Sequence, residues 1–228
     1  MKQSPVQKQT SGRDAYKLFH YVSYLNYIIY LCVGSLLFML MTMPFVFLLM
    51  VMELRLATLP FFIMTASLIG PATSALFGYL KDVREKDQTF ILYFKFYRQT
   101  AKRALIGWLP SLFIIGISSA NLLLMTTMAV DSWLKWLMIF ILIAAVSFSL
   151  VYCMVVARFQ ALGFKQTLRL AVNICLIKSV RCALNVMILM GSWVILTTWP
   201  IYLLLFGIGI TALLIQLNME AVFESIES

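Results

Sequence analysis

Long apolar blocks alternate with short charged connections along this chain. Tyr21 to Met52, Leu56 to Leu80, Ala104 to Val130, Trp136 to Ala157 and Cys182 to Met219 contain no Asp, Glu, Lys or Arg. About 20 apolar residues suffice for a helix to cross the hydrocarbon core, so each block predicts a transmembrane helix. The last block runs 38 residues, and as one helix it would be about 57 Å long, nearly twice the bilayer core. Thr198-Trp199-Pro200 supplies a break, because Thr suits a helix start and Pro its first turn. Thr58-Leu59-Pro60 repeats that pattern ahead of the second block. Six spans follow, at 26–52, 58–80, 104–129, 134–157, 182–198 and 200–219. Pro44 predicts a tilt or kink in the first, and Pro71 a bend in the second.

The polar connections then set an expected orientation. Lys2, Lys8, Arg13 and Lys17 precede the first span, and Lys81, Arg84, Lys86, Lys95, Arg98, Lys102 and Arg103 follow the second. Arg158, Lys165, Arg169, Lys178 and Arg181 follow the fourth, leaving only Arg55 and Lys135 of the 18 basic residues for the other side. This asymmetry predicts a plasma-membrane protein with both termini in the cytoplasm. The expected organisation is a cytoplasmic tail over 1–25, one transmembrane domain over 26–220, and a short acidic cytoplasmic tail over 221–228. The apolar run near the N-terminus is too long for a cleavable signal peptide, and no small-residue cleavage site follows it.

Composition sharpens the class. Residues are 62% hydrophobic and 12% charged, where soluble domains carry about 25% charged. The formal charge of +9 suits the anionic inner leaflet. Nucleic-acid binding would need a soluble basic module, and none is expected. Trp108, Trp133, Trp136 and Trp199 fall near span ends, as an interfacial aromatic belt requires.

Little in the chain supports catalysis. His20 is the single His, the four Cys show no CxxC spacing, and all nine carboxylates lie outside the spans or at their ends. No phosphate-binding glycine loop is present. The expectation is a protein that is not an enzyme, without catalytic residues, metal or cofactor. Asn121, Asn185 and Gln216 are the stronger polar groups within spans, and interhelical hydrogen bonds account for them.

Two patterns remain. Ala66, Gly70, Ser74 and Gly78 recur every four residues, so on a helix they form a narrow stripe against which another helix can pack closely. Packing within the fold is the preferred reading over a seam between subunits. After Leu80 and a run of mixed charge, Phe90 to Arg103 reads as a basic amphipathic cytoplasmic helix between spans two and three. Lys95, Arg98 and Lys102 share one face, and Phe90, Phe94, Tyr97 and Ala101 the other. Such a helix meets anionic lipid or docks a cytoplasmic partner. The predicted fold class is thus all-α, a polytopic membrane helix bundle of about six transmembrane helices.

Around these residues the chain resembles a known family. Gly70-Pro71-Ala72-Thr73, Ala75-Leu76-Phe77, Arg84-Glu85-Lys86-Asp87, and Phe94 with Tyr97-Arg98-Gln99 look like the signature of the YesL family of bacterial multi-pass membrane proteins. Asn26 and Ala157-Arg158-Phe159 also fit. The resemblance covers most of the chain, and its specific part runs from Leu68 to Gly107. It implies an association with carbohydrate importers and no catalytic residues. The expected function is an accessory or assembly factor linked to ABC-type carbohydrate uptake. The alternative is a small permease or channel with a neutral polar pathway.

Overall fold

Every regular element among the described residues is an α-helix, the one open-ended structure whose backbone satisfies its own hydrogen bonds in lipid. The computed structural model describes residues 5–53, 55–82, 89–127, 132–198 and 206–227. In chain order the helices are α1 (Pro5–Val51), α2 (Leu59–Ala66), α3 (Ile69–Asp82), α4 (Thr89–Thr127), α5 (Ser132–Arg158), α6 (Phe164–Ile177), α7 (Ser179–Thr198) and α8 (Ile208–Glu227).

Four stretches are long and apolar enough to cross a membrane: Ile28–Val51, Leu59–Asp82, Phe90–Met125 and Trp133–Arg158. The second combines α2 and α3, which Ser67 and Leu68 separate. Pro71 explains that break, because it lacks the N–H that would reach the Ser67 carbonyl and its ring crowds the same group. α6 and α7 pass the same test only as a pair, bent by 92° at Lys178. For the sixth predicted span, residues 200–205 lie outside the described residues, and α8 supplies the remainder.

Several boundaries differ from the sequence-based expectation. α1 begins at Pro5 and runs unbroken through 47 residues, so residues 5–25 of the expected tail are helical and continuous with the first span. Thr58 stands at the start of α2, yet its hydroxyl makes no cap bond to that helix. It instead accepts from the Arg55 N–H at 3.0 Å and donates toward the Glu53 carbonyl at 2.8 Å, tightening the preceding turn. The segment 90–103 is the first part of the 39-residue α4, not a helix of its own. No Gly or Pro interrupts the chain between Thr89 and Ile106, so nothing stops helix propagation there.

α3 is the centre of the bundle, packing against α1, α4, α5 and α8. Its residues from Gly70 to Leu80 are buried with the single exception of Thr73, which is half-buried. Glycines set how closely these helices approach. A Cβ on Gly107 of α4 would lie 2.0 Å from the Tyr152 ring of α5. A Cβ on Gly209 of α8 would lie 2.6 Å from the Leu31 carbonyl oxygen of α1. Only the second obstacle is backbone, which cannot turn aside. Gly209→Ala should therefore lower the unfolding free energy in detergent by about 1–3 kcal/mol. Gly191→Ala, where nothing lies within 4 Å, should be neutral or slightly stabilising. Equal thermal shifts for the two variants would contradict this packing of α1 on α8.

Candidate functional site

The small-residue stripe lies along the seam between α2–α3 and α4. Ala66, Gly70, Ser74 and Gly78 are all buried. The Trp108 indole N–H donates to the Ala66 carbonyl at 3.0 Å, and a Cβ on Gly70 would fall 2.4 Å from the Trp108 ring carbon. Ser74 and Thr100 hydroxyls stand 3.5 Å apart, and a Cβ on Gly78 would meet Phe96 at 2.6 Å. Each stripe residue thus faces a larger α4 side chain, one turn after another.

On α4 the polar face is where the sequence pattern puts it, but the apolar face is not. Lys95, Arg98 and Lys102 are exposed. The packed stripe is Leu92, Tyr93, Phe96, Thr100, Ala104 and Gly107, which follow helical spacing. Phe90 and Phe94 are exposed, and Tyr97 and Ala101 only half-buried. Two apolar stripes adjoin on this helix, and only one of them meets α3.

Three tyrosines that the apolar pattern concealed fasten these helices. The Tyr79 hydroxyl donates to the Tyr30 carbonyl at 3.0 Å, tying α3 to α1. Tyr93 donates to the Ala72 carbonyl at 3.2 Å, tying α4 to α3. Tyr152 donates to the Arg103 carbonyl at 2.9 Å, tying α5 to α4. Elsewhere the buried Ser35 hydroxyl of α1 accepts the Gly209 N–H at 2.8 Å, satisfying an orphan donor in the first turn of α8. Of the polar groups expected within spans, Asn185 accepts from Asn218 at 2.8 Å and Asn121 reaches the Met138 sulfur at 3.8 Å. Gln216 Oε1 is buried and has no partner among the described residues.

A half-open cavity of about 310 Å³ lies among α1, α3, α4, α5, α7 and α8. Phe38, Phe77, Trp108, Leu150, Leu189 and Ile215 contribute its apolar wall. Hydroxyls line it too, but they are already engaged. Thr73 donates to the Ile69 carbonyl at 2.7 Å, Ser149 to Val146 at 2.7 Å, and Ser192 lies 2.6 Å from Thr211. Following α3, α5 and α8 toward higher numbers leads to a small neck of about 20 Å³ bounded by Phe77, Lys81, Met154, Arg158, Gln216 and Phe223. Beyond the neck, Lys81, Asp82, Lys95, Gln99, Arg158 and Gln160 line a polar pocket of about 330 Å³. An apolar chamber and a basic one therefore stand end to end.

The cavity wall includes the Cys153 thiol, and the basic pocket places Asp82 beside Lys81 and Lys95. No cluster of three or more His, Cys, Asp or Glu able to bind a metal exists among the described residues. Cys32, Cys153, Cys175 and Cys182 are free thiols. Cys153 donates weakly to the Gly70 carbonyl at 3.6 Å and serves packing. His20 and residues 83–88, with the charge run Arg84 to Asp87, fall where side chains lie outside the described residues. The chain matches no protein-family profile, no curated protein and no solved structure.

Arg103 closes the basic end of the bundle. Its guanidinium donates to the carbonyls of Gln160 and Leu162 and to the Thr167 hydroxyl, the last at 2.9 Å. One planar fork thus holds the α5–α6 connection against α4, a geometry that Lys cannot reproduce. Arg103→Lys should cost about 1–3 kcal/mol and speed amide exchange over 160–167. Arg98→Lys, at an exposed position on the same helix, should leave both unchanged. Equal protection in the two variants would remove the clamp from the account.

Proposed function

We propose that this protein is a non-enzymatic, six-span protein of the plasma membrane that acts as an accessory or assembly factor for ABC-type carbohydrate uptake. The single observation that carries this over a permease is the chemistry of the cavity. A sugar presents hydroxyls all round, and a path for it must offer free hydrogen-bonding groups in their place. Here Thr73, Ser149, Ser192 and Thr211 spend their donors on backbone carbonyls or on each other, and the rest of the wall is aliphatic or aromatic. The link to carbohydrate import rests on the resemblance to the YesL family. The groups suited to recognising an importer subunit gather at the basic end, where Lys95, Arg98 and Lys102 are exposed.

In this reading α7 spans the bilayer and α6, turned by 92° from it, lies along the cytoplasmic surface. The faces of α6 suit that position. Thr167, Ala171 and Ile174 pack on the bundle, Leu168, Val172 and Leu176 are exposed apolar residues, and Lys165, Arg169 and Asn173 form an exposed polar edge. An interfacial helix needs such an apolar side toward acyl chains and a basic side toward headgroups. α6 thus takes the in-plane role that the sequence pattern assigned to 90–103.

Orientation is tested by single cysteines at Gln88 and Ser132 in a Cys-free chain. An impermeant maleimide added to intact cells should label Ser132→Cys and spare Gln88→Cys; labelling of both from one side would contradict the six-span arrangement. The accessory role is tested by reconstitution. Protein purified alone in liposomes should pass labelled mono- and disaccharides no faster than protein-free vesicles. Tagged protein from native membranes should bring down importer subunits. Saturable sugar flux by the protein alone would favour the permease instead.

A further inference from the structure

The two chambers are lined by successive stretches of the same helices, in a way that suits one kind of molecule. In α3 the lining passes from Ile69, Thr73 and Phe77 in the cavity to Lys81 in the neck and in the basic pocket. In α5 it passes from Val146, Ser149 and Cys153 to Met154 and then to Arg158, which lines both neck and pocket. In α8 it passes from Ile208, Thr211 and Ile215 to Gln216 and Phe223. α3 and α5 therefore carry the surface from apolar to basic, while α8 lines the cavity and the neck. From Ile69 to Lys81 is twelve residues, or about 18 Å of helix, comparable with half the ~30 Å hydrocarbon core. α4 runs the opposite way and agrees, with Trp108 at the cavity and Lys95 and Gln99 at the pocket.

We propose that these adjoining pockets together bind an anionic phospholipid, with one acyl chain in the apolar cavity and the phosphate between Lys81 and Lys95, beside Arg158. The chemistry of both ends argues for it. A cavity of about 310 Å³ lies at the small end of the range for ligand sites, roughly 300–1,000 Å³, in interiors that otherwise keep few voids larger than a water. Its wall gives water too few partners to hold it. An alkyl chain needs none. At the other end Lys81, Lys95 and Arg158 stand with Asp82, the one carboxylate among the described lining residues. Lys81 and Lys95 have no hydrogen-bond or ion-pair partner among the described residues. Arg158 stands with its guanidinium carbon 5.2 Å from the Phe223 ring centroid, which keeps it beside the neck. Lysines serve a phosphate as point charges and arginine adds a planar fork. Between the ends, the buried Gln216 Oε1 gives a glycerol hydroxyl an acceptor. The neck is bounded by the Phe77, Met154 and Phe223 side chains, which can widen it by changing rotamer.

Trp108 in the cavity wall reports on the occupant. The full chain is prepared in maltoside micelles with Trp133, Trp136, Trp193 and Trp199 replaced by Phe, leaving Trp108 alone. It is titrated with phosphatidylglycerol or phosphatidylcholine carrying brominated acyl chains, which quench indole on contact. Phosphatidylglycerol should quench Trp108 at a mole fraction about tenfold below that needed for phosphatidylcholine, as a few headgroup charges require. Lys81→Gln with Lys95→Gln should abolish the difference while leaving quenching by phosphatidylcholine unchanged. Inorganic phosphate at the same concentration, the soluble source of the same anion, should neither alter Trp108 emission nor displace the lipid. Equal quenching by the two lipids, full selectivity in the double variant, or displacement by inorganic phosphate would each overturn the assignment.

Discussion

Close approach of α3 to its neighbours, made possible by residues with little or no side chain, is the constraint on which the rest of this structure depends. In lipid the hydrophobic effect does not drive helices together, because acyl chains solvate Leu as well as another Leu does. What remains is dispersion at short range and the hydrogen bonds that short range permits. Gly70 and Gly78 let Trp108 and Phe96 of α4 come within a distance that a Cβ would forbid. That approach in turn brings the Trp108 N–H to the Ala66 carbonyl and the Tyr93 hydroxyl to the Ala72 carbonyl. The Ala72 carbonyl lies within α3 and accepts a second bond, while the Ala66 carbonyl stands at the break between α2 and α3, where the Trp108 N–H bonds to it.

The chambers follow from the same arrangement. Where small residues face large ones, α3 and α4 close completely. Farther round α3, Ile69, Thr73, Leu76 and Phe77 face α5, α7 and α8 and leave the cavity. Its walls are apolar because the hydroxyls there bond to their own helices, which is the cheapest way to bury Ser and Thr away from water. At the basic end the chain requires solvation, and Lys81, Lys95 and Arg158 converge where the helices emerge from the apolar core.

Much of the architecture was legible in the residues, and the exceptions have physical causes. Four of the charge-free blocks coincide with stretches long and apolar enough to cross a membrane, and the spacing of Ala66, Gly70, Ser74 and Gly78 puts them on one helix face whatever the fold. Tyr79, Tyr93 and Tyr152 gave no such signal. Their partners are backbone carbonyls, which every residue carries, and for Tyr79 and Tyr152 these lie 49 residues away. Charge at the beginning of α4 suggests a separate element, whereas the absence of Gly and Pro before Gly107 favours the continuous helix observed. Its Phe90–Phe94 and Leu92–Phe96 stripes are equally apolar, so only tertiary packing decides which one is covered. The Leu168, Val172, Leu176 repeat of α6 is masked in the sequence by Lys165, Arg169 and Lys178, which give the segment the character of a polar connection. The chambers were not legible at all, since they arise from residues on six helices.

The central claim is that missing side chains on α3 set the distance to α4. A double-mutant cycle at Gly78 and Phe96 tests it most directly, read as unfolding free energy in micelles. Gly78→Ala should be costly beside Phe96 and much less so in a Phe96→Ala background, where the new methyl has room. The cycle should give a coupling of about 1–2 kcal/mol, within the range found for residues in contact. Strictly additive losses would mean that α4 does not rest on Gly78, and the account of the seam would fail.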